Sequence, residues 1–267
     1  MSAKSTVRLS IVTVCWNDLA NVQRTVESLE RQTQSHGWEH VLIDGASSDG
    51  TADWYRSAGF NFAHLAVSEP DDGIFDAMNK SLNIVKGDYV VFMNAGDRFA
   101  DEGAIGRVLR RIEAEPDWGY SRARVIDLTG RKVRPQIGKI PYSRTKHLWG
   151  RATLCHQAVV MRVDLIRALG GFDVGMSPAA DYHLLIKAAS RVPPATWADV
   201  DVDYLAGGLT FSGLYFWDRH RARVDALGLK RIGRALDAAW TALQIVDVRI
   251  RRTLKPALGP IYLRLRK

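Results

Sequence analysis

Four short apolar runs alternate with three helix-like stretches over the first 93 residues, and this order restricts the fold more than any other feature. Leu9–Val14, His40–Asp44, Phe62–Val67 and Asp88–Met93 read as strands. Between the first two, Ala20–Gln32 places Val22, Val26 and Leu29 at helical spacing. After the second, Ser48 or Asp49 can cap a helix that runs through Tyr55 and is ended by Gly59. Gly73–Val85 reads as a third helix with Ile74, Met78, Leu82 and Val85 along one side. The unbroken apolar run Val90–Met93 suits a strand covered on both faces, as in parallel sheets. A βαβαβαβ order therefore predicts an α/β fold, a mainly parallel central sheet flanked by helices. Beyond Ala100 the pattern weakens. A helix near Gly103–Glu115, strand-like Tyr120–Asp127 and Val159–Met161, and helices over Asp164–Leu169 and Ala180–Ser190 are expected there.

Bulk properties exclude several classes. The 267 residues can form one large domain, or one domain with an appendage. Cys15 and Cys155 sit in apolar segments, which suits reduced thiols and a cytoplasmic location. No C-x-x-C or His/Cys cluster suggests structural zinc. "LSIVTVCW" is too short for a signal peptide or membrane span. The formal charge of +8 is unevenly placed: residues 219–267 carry 13 Lys/Arg and three acids, a net of +10, leaving −2 for the rest. A nucleic-acid binder would spread positive charge over a face of the main domain, so no nucleic-acid partner is expected. No G-x-G-x-x-G follows the first strand, and "GGLTFSG" lacks the Lys of a phosphate-binding P-loop.

The ends of the strand-like runs offer acids: Asp44, Asp49, the "EPDDG" segment and Asp97. Open α/β sheets place ligands at the carboxyl ends of their strands. Carboxylates beside a phosphate ligand require a cation between them, or sugar and base edges to accept from. A nucleotide diphosphate held through Mg²⁺ or Mn²⁺ meets both conditions. The bland alternative for "NAGD" is a turn, which uses Asn, Gly and Asp for conformational reasons.

The pieces "SIVTVCWN", "VLIDGASSDGT", "SEPDDGIFDAMNKSLNIVKGDYVVFMNAGD", "CHQAVVMR", "LGGFD" and "AADYHLLIKAA" resemble the family 2 glycosyltransferases, in that family's order over roughly residues 8 to 213. The likeness is to the subgroup acting in bacterial exopolysaccharide and cell-envelope glycolipid synthesis. It implies a GT-A catalytic domain over residues 1–213, followed by a basic helical extension over 214–267. It also implies a nucleotide-diphospho-sugar donor, a lipid-linked or glycolipid acceptor, and inversion at the sugar. Asp97 takes the place of the last acid in the family's D-x-D-type motif and so of the metal ligand; Gly96 stands where an acid is common. Thr13, Asn17, Asp44, Asp49, Asp72, Asn79, Lys80, Asn94 and Ala95 fall where the family contacts its donor. Asp181 falls where the family carries the general base, and His156 could approach the diphosphate or the acceptor.

Structural alternatives stand beside these assignments. Asp44, Asp49 and Asp181 could each cap a helix, Asp71 or Asp72 could be a solvated loop charge, and Lys80 an exposed helical lysine. His156 could be a satisfied core histidine, and His183 should face another side of its helix. A non-catalytic sugar-nucleotide or glycan-binding module on the same fold is the other functional reading, supported by Gly96. In the tail, apolar residues recur every three or four positions from Leu229 to Leu254, which predicts an amphipathic helix ending before Lys255-Pro256. It could dock on the catalytic domain, bind a partner helix, or lie on the anionic inner face of the cell membrane.

Overall fold

A computed structural model describes residues 7–152, 154–207 and 213–264. Strand β1 (Leu9–Cys15) leads through α1 (Leu19–Glu30) to β2 (Trp38–Asp44), then α2 (Thr51–Ser57), β3 (Ala63–Ser68), α3 (Ile74–Ser81) and β4 (Tyr89–Phe92). These four strands lie parallel in the order β3-β2-β1-β4. Side chains alternate across them. Val12, Val41 and Val90 pack on one face with Met78 and Leu184, while Ile11, Leu42 and Val91 pack on the other with Val22, Leu29 and Ile105. Both faces are therefore covered, which is why the runs contain so few polar residues.

The second half departs from a purely parallel sheet. After β5 (Arg98–Phe99) and α4 (Ala104–Ile112) come β6 (Trp118–Ile126), β7 (Lys132–Ile137), α5 (Arg144–Leu148), β8 (Val159–Arg162), α6 (Val163–Ala168), α7 (Ala180–Arg191) and β9 (Ala195–Leu205). Strand β8 runs antiparallel to β4 and to β6; β6 and β9 are parallel, β5 runs antiparallel to β9, and β7 antiparallel to β6. The reversal at β8 has a consequence for function. It brings the start of β8 to the edge where β1, β2 and β4 end.

Two expected boundaries are corrected. Helix α2 is capped by Gly50 in a left-handed conformation (φ 84°), not by Ser48 or Asp49. Asp49 instead accepts from the Thr51 N–H at 3.1 Å and the Leu19 N–H at 2.9 Å, tying two loops together. The tail contains two helices, α8 (Gly213–Ala226) and α9 (Arg231–Arg264), and α9 continues past Pro256. A proline removes one hydrogen bond of the ladder and need not end the helix. The middle of "GGLTFSG" lies outside the described residues, as do Arg266 and Lys267.

Helix α8 is part of the fold. It packs on α7, where Tyr182 and Ile186 meet Ala222, and His183 Nε2 lies 2.8 Å from Asp225. Arg223, 1% exposed, holds Asp237 of α9 through two hydrogen bonds of 2.7 and 3.0 Å and also donates to Thr241. Removing one partner of such a pair strands a buried charge at a cost of roughly 3–5 kcal/mol, so the start of α9 is firmly tied to α8 and through it to α7.

Candidate active site

The strand-end edge is assembled from four segments. The turn after β4 is fixed from α1: the Gly96 N–H donates to the Asn21 carbonyl and to Thr25 Oγ1, and Thr25 Oγ1 donates to the Asp97 carbonyl. Gly96 sits at φ 92°, and a Cβ there would meet Leu205 Cδ2 at 2.8 Å. An acid at this position would need both a strained backbone and a moved side chain. The departure from the family motif is thus built into the packing of this chain.

Beyond that turn, three predicted residues converge. His156, in the short 3-10 turn His156–Ala158 before β8, places Nδ1 3.1 Å from Asp181 Oδ2 and Nε2 3.4 Å from Asn94 Nδ2. Asp181 lies in the first turn of α7, where a carboxylate is favoured by the unpaired N–H groups. Its other oxygen accepts from the Tyr182 N–H at 2.7 Å. Asn94 Oδ1 is buried with no protein partner. An apolar recess lined by Phe92, Phe172, Met161 and Leu184 adjoins His156 and Asp181. The edge thus presents a carboxylate, an imidazole and an unmet amide oxygen side by side.

Asp97 is placed differently. It is 3% exposed, and both its oxygens are engaged: Oδ1 accepts from the Leu205 N–H and Oδ2 from Gln157 Nε2, each at 2.7 Å. Burial pushes its pKa up to about 7, although both hydrogen bonds and the nearby His156 ring oppose the rise. No group of three or more His, Cys, Asp or Glu side chains among the described residues converges on a cation position. A divalent cation requires ionised, accessible oxygens, so these residues as arranged do not fit one held by Asp97. The carboxylate bridges the strand-end turn, the β8 approach and the end of β9.

The remaining predicted donor contacts divide into two groups. Asn17 (φ 49°), Asp44 and Asp49 build the loop wall at the ends of β1 and β2. Asn17 Oδ1 accepts from the Ser48 N–H at 2.8 Å, and fully buried Asp44 accepts from the Ser47 N–H and Ser68 Oγ. The hydrogen bonds made by Thr51 hold the Asp49 carboxyl below the usual range. Asp72 is exposed on the following loop, and half-buried Ala95 packs below the turn.

Thr13, Asn79 and Lys80 are occupied elsewhere. Thr13 is fully buried, with Oγ1 2.9 Å from His40 Nε2, because strand alternation turns it into the α1 face of the sheet. Asn79 spans to the loop before Asp173, donating to the Phe172 carbonyl and accepting from its N–H, both at 2.8 Å. Lys80 Nζ donates to the Pro70 carbonyl and pairs with Glu69 and Asp76, clamping the 69–76 loop. Asn79→Ala should therefore cost about 1–3 kcal/mol of stability by stranding two backbone groups, with donor affinity unchanged. Urea unfolding and ligand titration on the same variant check this.

Three further residues, Trp16, Tyr215 and Gln157, shape the edge without having been singled out, and Asp71 joins them. Trp16, 69% exposed, and Asp71 flank Gly45, where a Cβ would meet Asp71 Oδ2 at 2.6 Å and Trp16 Cδ1 at 3.4 Å. An exposed Trp directly after a buried strand was the available signal. Tyr215 of α8 lies near Asp181; burial, reinforced by that carboxylate, pushes its phenol pKa up. Gln157 carries the Asp97 contact, and only the three-dimensional structure reveals that.

Residues 10–170 match the model of the family described as Glycosyl transferase family 2. An uncharacterised glycosyltransferase of Mycobacterium tuberculosis H37Rv is 32% identical over 192 residues, covering 70% of this chain and 71% of that protein. A PGL/p-HBAD biosynthesis glycosyltransferase of Mycobacterium bovis BCG is 27% identical over 195 residues, covering 68% and 70%. Among solved structures, Staphylococcus aureus TarS (residues 1–349, with UDP) superposes with a TM-score of 0.65 at 17% identity, covering 95% of this chain and 75% of that one. That likeness concerns the fold.

Proposed function

This chain belongs to glycosyl transferase family 2, and from that premise we propose an inverting transfer of a sugar from a nucleotide-diphospho-sugar to an acceptor hydroxyl, with Asp181 as general base. The observation that carries the reading is the Asp181 carboxylate, held by His156 beside Asn94 at the strand-end edge. The acceptor oxygen attacks the anomeric carbon as the bond to the diphosphate breaks. The electron pair leaves on the diphosphate oxygen, and the hydroxyl proton passes to Asp181. A single displacement of this kind inverts the anomeric centre.

His156 orients the carboxylate through Nδ1 and so acts as a positioning residue. Asn94 Oδ1 would accept from a donor hydroxyl, which would relieve its lack of a partner. Trp16 and Asp71 around Gly45 suit a nucleobase, one offering a ring face and the other an acceptor. A UDP-bound structural neighbour supports a nucleotide-sugar donor, and a relative named for PGL/p-HBAD biosynthesis is in keeping with the lipid-linked or glycolipid acceptor that the resemblance implies. Divalent-metal dependence belongs to the resemblance; the Asp97 geometry argues against that residue as the ligand.

Thermal unfolding with UDP-, GDP- and dTDP-sugars, each with and without Mn²⁺, tests the donor. At a free concentration about 100 times its Kd, the true donor should stabilise the fold by about 2.7 kcal/mol. No shift with any nucleotide sugar would remove the proposal. A shift that needs Mn²⁺ would restore the metal, with ligands other than Asp97.

A further inference from the structure

Helix α9 packs with the opposite polarity to a surface helix of a soluble protein. The side turned to the catalytic unit is polar: Asp237 and Thr241 are buried against Arg223, and His220 Nδ1 lies 2.6 Å from Asp237 Oδ2. The side turned outward carries an apolar stripe, with exposed Asp247 at its edge. Ile232 (79% exposed), Leu236 (62%), Leu243 (61%) and Ile250 (50%) follow one another at spacings of four and seven residues, with Val246 alongside. Such spacing puts them on one face of a helix. A surface helix normally buries that stripe and exposes the polar one.

The surroundings indicate what covers the stripe. Trp240 Nε1 donates to the Trp149 carbonyl at 3.0 Å, and the Arg151 guanidinium lies over the Trp240 ring. Trp149 is itself about two-fifths exposed. Tryptophan and arginine beside an apolar stripe suit the boundary between headgroups and acyl chains. The charge agrees, because the +10 of residues 219–267 stands against −2 for the rest of the chain. The same charge opposes pairing of two copies through this helix, since it would bring like charges together. No helix among the described residues is long and apolar enough to cross a membrane.

We propose that the outward face of α9 lies in the headgroup region of a bilayer rich in anionic lipid, with Ile232, Leu236, Leu243, Val246 and Ile250 inserted. Helix α9 is tied to α8 through Arg223, α8 rests on α7, and α7 carries Asp181. The bilayer therefore holds the active edge at a fixed attitude to lipid-borne substrates. Deleting α9 would be a poor test, because it strands buried Arg223.

The test uses the full chain and the variant Leu236→Asp/Leu243→Asp, in which both side chains are exposed and the Arg223 contacts remain. Sedimentation with vesicles of phosphatidylglycerol and phosphatidylcholine should show binding that weakens with salt and falls by about tenfold or more in the variant. Unfolding temperatures of the two proteins should agree. Light scattering run alongside should report one copy of the chain before vesicles are added. Failure of the full chain to sediment at low salt would overturn the proposal. So would a dimer that the double substitution dissociates, because the stripe would then be covered by a second copy.

Discussion

Replacing Asp181 with Asn is expected to lower sugar transfer by roughly two to four orders of magnitude, the usual contribution of a positioned general base. Asparagine keeps the shape of the side chain, with its single oxygen able to go on accepting from either the Tyr182 N–H or His156 Nδ1 but not from both. It cannot accept the proton that the acceptor hydroxyl loses. The wall expected to grip the nucleotide, at Asn17, Asp44, Asp49 and Gly45, is built by other contacts and should be undisturbed. Donor affinity should therefore survive, and the loss should appear in kcat. Single-turnover transfer and donor titration on one preparation separate the two quantities. Collapse of donor binding together with turnover would mean that Asp181 holds the donor, and another group would have to be the base.

The sheet was legible where burial on both faces left no ambiguity. Val90–Met93 and Val41–Ile43 read as strands because helices cover both of their sides. Strand β9 escaped notice although "VDVDY" alternates strictly, since its acids look solvated. They are in fact paired: Asp201 with Arg107 and Arg111, and Asp203 with Arg124. Pairings across such distances along the chain leave no local trace. The same limit governed the site. Position at a strand end could be read from the sequence and brought Asn94 and Asp97 into view, whereas Asp181 came from the resemblance to the family and His156 from the "CHQA" piece that carries it. How each side chain spends its hydrogen bonds could not be read. Asn79 is bonded across 93 residues to Phe172, and Asp97 across 60 to Gln157 and 108 to Leu205. The tail's amphipathicity was equally plain, but which face it buries depends on Arg223 meeting Asp237.

Asp97 should show the reverse of a carboxylate's usual pH behaviour, and Asp97→Asn should abolish it, because burial raises the pKa of Asp97 from 3.8 to about 7 in the folded chain. A raised pKa means that the native state holds the proton more tightly than the unfolded chain does. The stabilisation is complete below the unfolded pKa and is lost as pH rises through the folded one. The wild-type protein should lose on the order of 4 kcal/mol from this group between about pH 4 and pH 8. The variant cannot lose it. Its single oxygen can satisfy only one of the Leu205 and Gln157 donors, so at acid pH it should be the weaker protein, by about 1–3 kcal/mol. As pH rises the difference should shrink and then change sign. Urea unfolding of both proteins at steps across this range measures the difference directly, with contributions from other groups cancelling between them. Repeating the series with Mn²⁺ settles the role of the carboxylate. A cation bound at Asp97 would hold it ionised and stabilise the wild type selectively, and curves that stay parallel in pH would show an ordinary ionised aspartate. Burial that outweighs the two hydrogen bonds calls for crossing curves, and oxygens already engaged by Leu205 and Gln157 call for no Mn²⁺-specific difference between the two proteins.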